Sequence, residues 1–303
     1  MMVERQEYGC RVLTIVSPDT RVCVDIVPEL GGTVSSLKFD GRECLFQHPW
    51  FWDPEETETR GGIPLLFPIC GRLLHDGTPG RYLAQGQAHH LPIHGFAMRL
   101  PWRVVGEPVL DSLRLRLTDT PATRAQYPFP FALEALYAAT TRGLLIRLTV
   151  HNTGAVPLPF YAGFHPYFLT PPPGAGKERT RLLARPRRRH LYNDTKTAVT
   201  GNAPLPAFPL AITAEEANSL LLEMADNRET ALLFPDGFVV RQRTSPTLPF
   251  RQCYTLPDQP FFCDEPWQAP AGAMNQPGAA RLLAPGATEA CEVLITSDHS
   301  RAG

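Results

Sequence analysis

His165 and Glu265 lie 100 positions apart, yet the chain gives both the same kind of surroundings. Each comes directly before a proline and is ringed by aromatics, in Tyr161-Ala-Gly-Phe-His-Pro-Tyr-Phe168 and Phe261-Phe-Cys-Asp-Glu-Pro-Trp267. A residue before proline is pushed out of the helical region into extended backbone, which fixes the direction of its side chain. Aromatic neighbours exclude water, and partial desolvation shifts the proton affinity of an ionisable group. An imidazole and a carboxylate treated this way suit an acid/base pair. Read singly, each is equally a satisfied polar residue at a strand end.

Other candidates surround these two. Arg60-Gly-Gly-Ile-Pro-Leu-Leu-Phe-Pro-Ile-Cys-Gly-Arg72 joins a double-glycine turn to an arginine that follows a glycine. Glycine lets a ligand approach the backbone, and a guanidinium there can hold oxygen-rich groups, although a turn ending in a surface arginine is the plainer reading. His89, His90 and His94 have metal-like spacing, but Pro92 breaks the helical turn that would align them and no carboxylate or cysteine lies nearby, so no metal site is expected. Gly174-Ala-Gly-Lys177 resembles a phosphate loop only superficially, because its first glycine falls at Pro171 and Glu178 stands where Ser or Thr should bind magnesium. Neither a nucleophile elbow nor a dinucleotide glycine motif is present. The arginine-rich stretch Arg179 to Arg189 reads as a solvated face sooner than as an anion grip.

The elements that must position these groups are strands. Arg21 to Val27 alternates apolar and polar residues, and Thr33 to Phe39 leads through the Asp40-Gly41 turn into Arg42 to Phe46. Leu113 to Thr118 has a strict period of two, and hairpins are expected over Leu133 to Asn152 and Ala231 to Gln242. Strands are also expected at Arg251 to Leu256 and Cys291 to Ser297, with short helices only near Thr123 to Tyr127 and Thr213 to Asn218. The 32 prolines and 23 glycines fit many short elements separated by turns. This pattern predicts an all-β fold, a large antiparallel sandwich formed by residues 1–303 as one domain.

A formal net charge of -1 disfavours nucleic acid and anionic membrane as partners. Seven scattered cysteines without a C-x-x-C pair suit a reducing compartment. The start of the chain lacks an apolar signal core and no apolar run reaches membrane length, so a soluble cytoplasmic protein is expected.

Four blocks in order resemble the aldose 1-epimerase (galactose mutarotase-like) superfamily: Arg60 to Arg72, Leu91 to Trp102 with its His94-Gly-Phe-Ala97, Gly163 to Phe168, and Asp264-Glu-Pro-Trp267. The chain is most similar to the branch of hexose-6-phosphate mutarotases and bacterial aldose epimerase-like proteins, over about Val22 to Ser297. The resemblance implies a β-supersandwich binding a sugar or sugar phosphate on a concave face, as a monomer or weak dimer without cofactor. It implies His165 as general acid, Glu265 as general base, His94 as orienting imidazole and Arg72 as a ligand of sugar hydroxyls. Arg60 matches an arginine of a phosphate clamp, whereas Met98 takes the place of a second one and Arg99 follows a residue later. A one-residue shift in extended chain turns a side chain to the other face, so free aldose and hexose 6-phosphate both remain open. A glycosidase would need two carboxylates flanking a bond, and Asp264 is expected to point away from Glu265. A non-catalytic sugar sensor and a sugar lyase or hydrolase on a related sandwich are the rival classes.

Overall fold

The computed structural model describes residues 3–53, 56, 61–107 and 109–299, and Arg60 lies outside them. Among the described residues the one α-helix is Pro121–Gln126, capped by reciprocal bonds between Thr120 and Thr123. None is long and apolar enough to cross a membrane. Everything else of consequence is antiparallel β-structure.

Two large sheets and a smaller one share a continuous apolar core, to which Ile26 and Leu37, Leu133 and Ile146, and Phe164 and Phe262 contribute from the three sheets in turn. The nine-stranded sheet is centred on Phe131–Thr140, Gly143–Asn152, Thr288–His299 and Phe238–Thr244. Its hairpins form where alternation and turn residues place them. In Ser112–Thr118, Leu113, Leu115 and Leu117 are buried while Arg114 and Arg116 are exposed, the signature of a strand with one wet face. The five-stranded sheet runs from Val3–Glu7 to Arg42–Glu43. The last of these strands is shorter than the sequence predicts, because Leu45 leaves it to bridge Phe168. The helix expected near Thr213 to Asn218 is a single 3-10 turn, Glu215–Ala217.

The eight-stranded sheet carries the centre of interest. Phe250–Tyr254 pairs with Phe261–Trp267, which in turn pairs with both Gly163–Phe164 and Tyr167–Leu169. Every residue of Phe261–Trp267 is buried, so this strand has protein on one face and a cavity on the other. On the inner face Asp264 accepts bonds from Thr230 Oγ1 and from Gln242 Nε2 (2.8 Å), both in the nine-stranded sheet, and lies 3.9 Å from the fully buried guanidinium of Arg251. This polar layer joins the two sheets. Removing one partner of a buried ionic group leaves the others desolvated and unpaired, typically at about 3–5 kcal/mol. Asp264→Ala should therefore lower unfolding free energy by that order in urea titration. Arg21→Ala, which breaks the exposed pair with Asp40, should cost under about 1 kcal/mol.

Candidate active site

His165 falls in the gap between Gly163–Phe164 and Tyr167–Leu169, two short strands that both pair with the strand bearing Glu265. Pro166 keeps the intervening backbone extended, and the His165 N–H donates to Pro64 O (3.1 Å). The two residues meet because the same strand holds both sides of the gap. His165 Nε2 stands 3.2 Å from Glu265 Oε2, with side chains only 5% and 2% exposed. Neither that oxygen nor His165 Nδ1 has a hydrogen-bond partner among the described residues, which leaves polar atoms for a ligand to satisfy. Tyr167 stacks on the imidazole at 4.7 Å.

His94 joins them with its ring 4.9 Å from that of His165, edge to face. It is held by a two-bond clasp: its N–H donates to Gly71 O (2.9 Å) and its Nδ1 accepts the Gly71 N–H (3.0 Å). An imidazole that accepts at Nδ1 carries its hydrogen on Nε2, so His94 is a neutral donor. Burial, and then the positive charge of a protonated His165, hold its pKa well below the usual value. His94 also occupies the left-handed region at φ 63, a conformation that the clasp imposes.

The ligand atoms of His94, His165 and Glu265 lie within 4.8 Å of one another, a spacing that could surround a cation. The clasp works against one. Metal binding through His94 Nε2 would move the hydrogen to Nδ1, directly against the Gly71 N–H. The three histidines with metal-like spacing do not gather, since His89 Nδ1 faces Ala125 O, His90 packs at Gly80 and His94 enters the cavity.

The cavity is about 390 Å³, within the range of small-molecule sites. Besides the three central residues it is lined by Arg72, Tyr167 and Trp267, and by groups that the sequence did not single out: His48, Trp50, Tyr192, Lys196, Ser219, Gln252 and Tyr254. Gln252 is directly opposite Glu265 on the neighbouring strand, buried, with Oε1 unpartnered. Its signal was present in the expected strand Arg251 to Leu256, but only the pairing register reveals that it faces Glu265.

Arg99 does not line the cavity. The segment Ala97–Arg99 is a 3-10 turn instead of the extended chain expected, and Arg99 Nη1 folds back on Ile93 O (3.1 Å) and Gly95 O (2.6 Å). It braces the His94 loop. Asp264 points into the inter-sheet layer, as alternation predicts.

Desolvation sets the protonation. Burial lowers His165 to about 3 and raises Glu265 well above the usual carboxylate value, because each charge alone is disfavoured in this dry setting. Burial thus favours the neutral arrangement of the empty pair, with the proton on the carboxyl.

The aldose 1-epimerase family model matches residues 12–288. The chain belongs to the aldose 1-epimerase family. Protein LacX (chromosomal) of Lactococcus lactis subsp. lactis is 28% identical over 148 residues, 47% of this chain and 46% of LacX, so the match spans about half of that curated relative. A galactose mutarotase-like protein of Clostridium acetobutylicum superposes with TM-score 0.84 at 16% identity, over 99% of this chain and 98% of that one. The galactose 1-epimerase of Lactobacillus acidophilus NCFM gives 0.77 at 16%, over 99% of each chain. These structures share the family's antiparallel β-supersandwich.

If the pair holds its single proton on Glu265, ring-nitrogen NMR of the free protein should show His165 neutral at pH 6.5, taking up a proton only near pH 3. Titration of that ring near 6.5 would contradict the assignment.

Proposed function

We propose that the protein interconverts the α and β anomers of an aldohexose or hexose 6-phosphate through ring opening, with Glu265 as general base and His165 as general acid. The observation that carries this reading is the 3.2 Å approach of the two groups on the wall of a sugar-sized cavity. Residues 1–303 are taken to act as one unit.

Anomer exchange needs a proton taken from the O1 hydroxyl and another given to the ring oxygen. In the active arrangement the pair's one proton sits on His165. Glu265 accepts the O1 proton while His165 gives its own to the ring oxygen, and the C1–O5 bond breaks to leave an open-chain aldehyde. The pair is then neutral, with Glu265 protonated. Rotation about C1–C2 followed by the reverse transfers closes the other anomer and restores the ion pair. No proton is consumed, and the chemistry asks for neither metal nor cofactor. His94, donating from Nε2, orients the substrate, Arg72 holds sugar hydroxyls, and Gln252 Oε1 offers an acceptor beside Glu265.

Glycoside cleavage has less support, because the second carboxylate nearby, Asp264, belongs to the polar layer behind the strand. Positioned proton transfer contributes about 10²–10⁴-fold. His165→Asn and Glu265→Gln should each lower kcat for anomer exchange by that factor, measured by polarimetry or NMR exchange on glucose, galactose and glucose 6-phosphate. Wild-type rates in both variants would refute the roles, and sugar binding without acceleration by the native protein would favour a sensor.

A further inference from the structure

Two cations of the cavity, Arg72 and Lys196, have no part in proton transfer. Among the described residues neither has a carboxylate within ion-pair distance, and the only acid lining the cavity is Glu265, which burial pushes towards its neutral form. The lining therefore sets two cations against a single acid, and that acid is beside His165.

Both cations are placed by the same stretch of backbone. A Cβ on Gly71, beside Arg72, would stand 2.6 Å from Ala271 Cβ, and a Cβ on Gly272 would stand 1.7 Å from the oxygen of Thr197, beside Lys196. The backbone next to Arg72 and the backbone next to Lys196 thus both pack on the turn at Ala271 and Gly272. Lys196 is exposed but anchored. Its backbone lies at φ 56 in a turn fixed by Asn193, whose Oδ1 accepts the N–H groups of Thr197 (2.8 Å) and Ala198 (3.2 Å) and whose carbonyl accepts that of Lys196 (2.9 Å). Its ammonium donates to the hydroxyl of Ser219, another cavity residue in the left-handed region, at φ 63. Non-glycine residues adopt that conformation where the surroundings impose it, and such positions gather at ligand sites.

We propose that Arg72, Lys196 and Ser219 form an anion subsite, so that the substrate is an aldose bearing a phosphate or a carboxylate away from its anomeric carbon. This rests on the epimerase reading above. Arginine alone serves neutral hydroxyls well, but an ammonium is a compact point charge, and two exposed cations lining an acid-poor cavity match an anion.

The test compares anomer exchange of glucose, glucose 6-phosphate and glucuronate by the wild type and Lys196→Met, together with calorimetric titration of both proteins by inorganic phosphate. The wild type should prefer at least one anionic sugar over glucose by about tenfold or more in kcat/KM. Lys196→Met should cut that preference about tenfold, through KM and not kcat. The phosphate and carboxylate arms identify the anion. Equal use of glucose and both anionic sugars by the wild type, or equal loss on all three in the variant, overturns the subsite. If the wild type accelerates no sugar, the epimerase reading falls and the titration decides the subsite alone. Phosphate binding that Lys196→Met weakens supports it, and binding that is absent or unchanged in the variant overturns it.

Discussion

The contact between His165 and Glu265 in a water-poor setting is the constraint on which the rest depends. Burial penalises a lone imidazolium and a lone carboxylate alike, so the two are stable only as a unit with one proton between them. The arrangement that burial favours, neutral histidine beside a protonated carboxyl, is also the one the proposed mechanism reaches when the sugar ring opens. Desolvation then lowers the energy of the ring-opened state relative to the closed one. In water the ion pair would be the resting form and this bias would be lost.

The fold serves that contact by making one strand answerable for both groups. Phe261–Trp267 carries Glu265 and pairs on one side with the two fragments around His165 and on the other with the strand of Gln252. Behind it the Asp264, Thr230, Gln242 and Arg251 layer ties the strand to the opposite sheet, and in front the Gly71–His94 clasp fixes the third polar group. A small error in any of these would be felt at 3.2 Å. Arg99 adds to this support from behind the His94 loop.

Much of this was legible in the chain. Strict alternation in Leu113 to Thr118 and the Asp40-Gly41 turn announced a sandwich, since period-two patterns and tight turns are local properties. The prolines after His165 and Glu265 marked the two residues that meet at 3.2 Å. What stayed hidden was non-local. Gln252 faces the cavity through strand register, and Lys196 through a turn held by Asn193; neither has a distinctive neighbour in sequence. Arg99 lies off the cavity lining because a 3-10 turn, a matter of loop packing, replaced the extended chain that the surrounding residues suggested.

Asp264 and Glu265 are chemically near-identical neighbours, yet one bonds across to the opposite sheet and the other faces the cavity. Nothing in their own structures separates them; the period of the strand does. Slipping the hairpin by a single residue would present the shorter acid to the cavity and thrust the longer one among Thr230, Gln242 and Arg251. The loop at 255–260, which counts out that spacing, thus decides which acid meets His165. Insertions or deletions there should be far less tolerated than its surface position suggests.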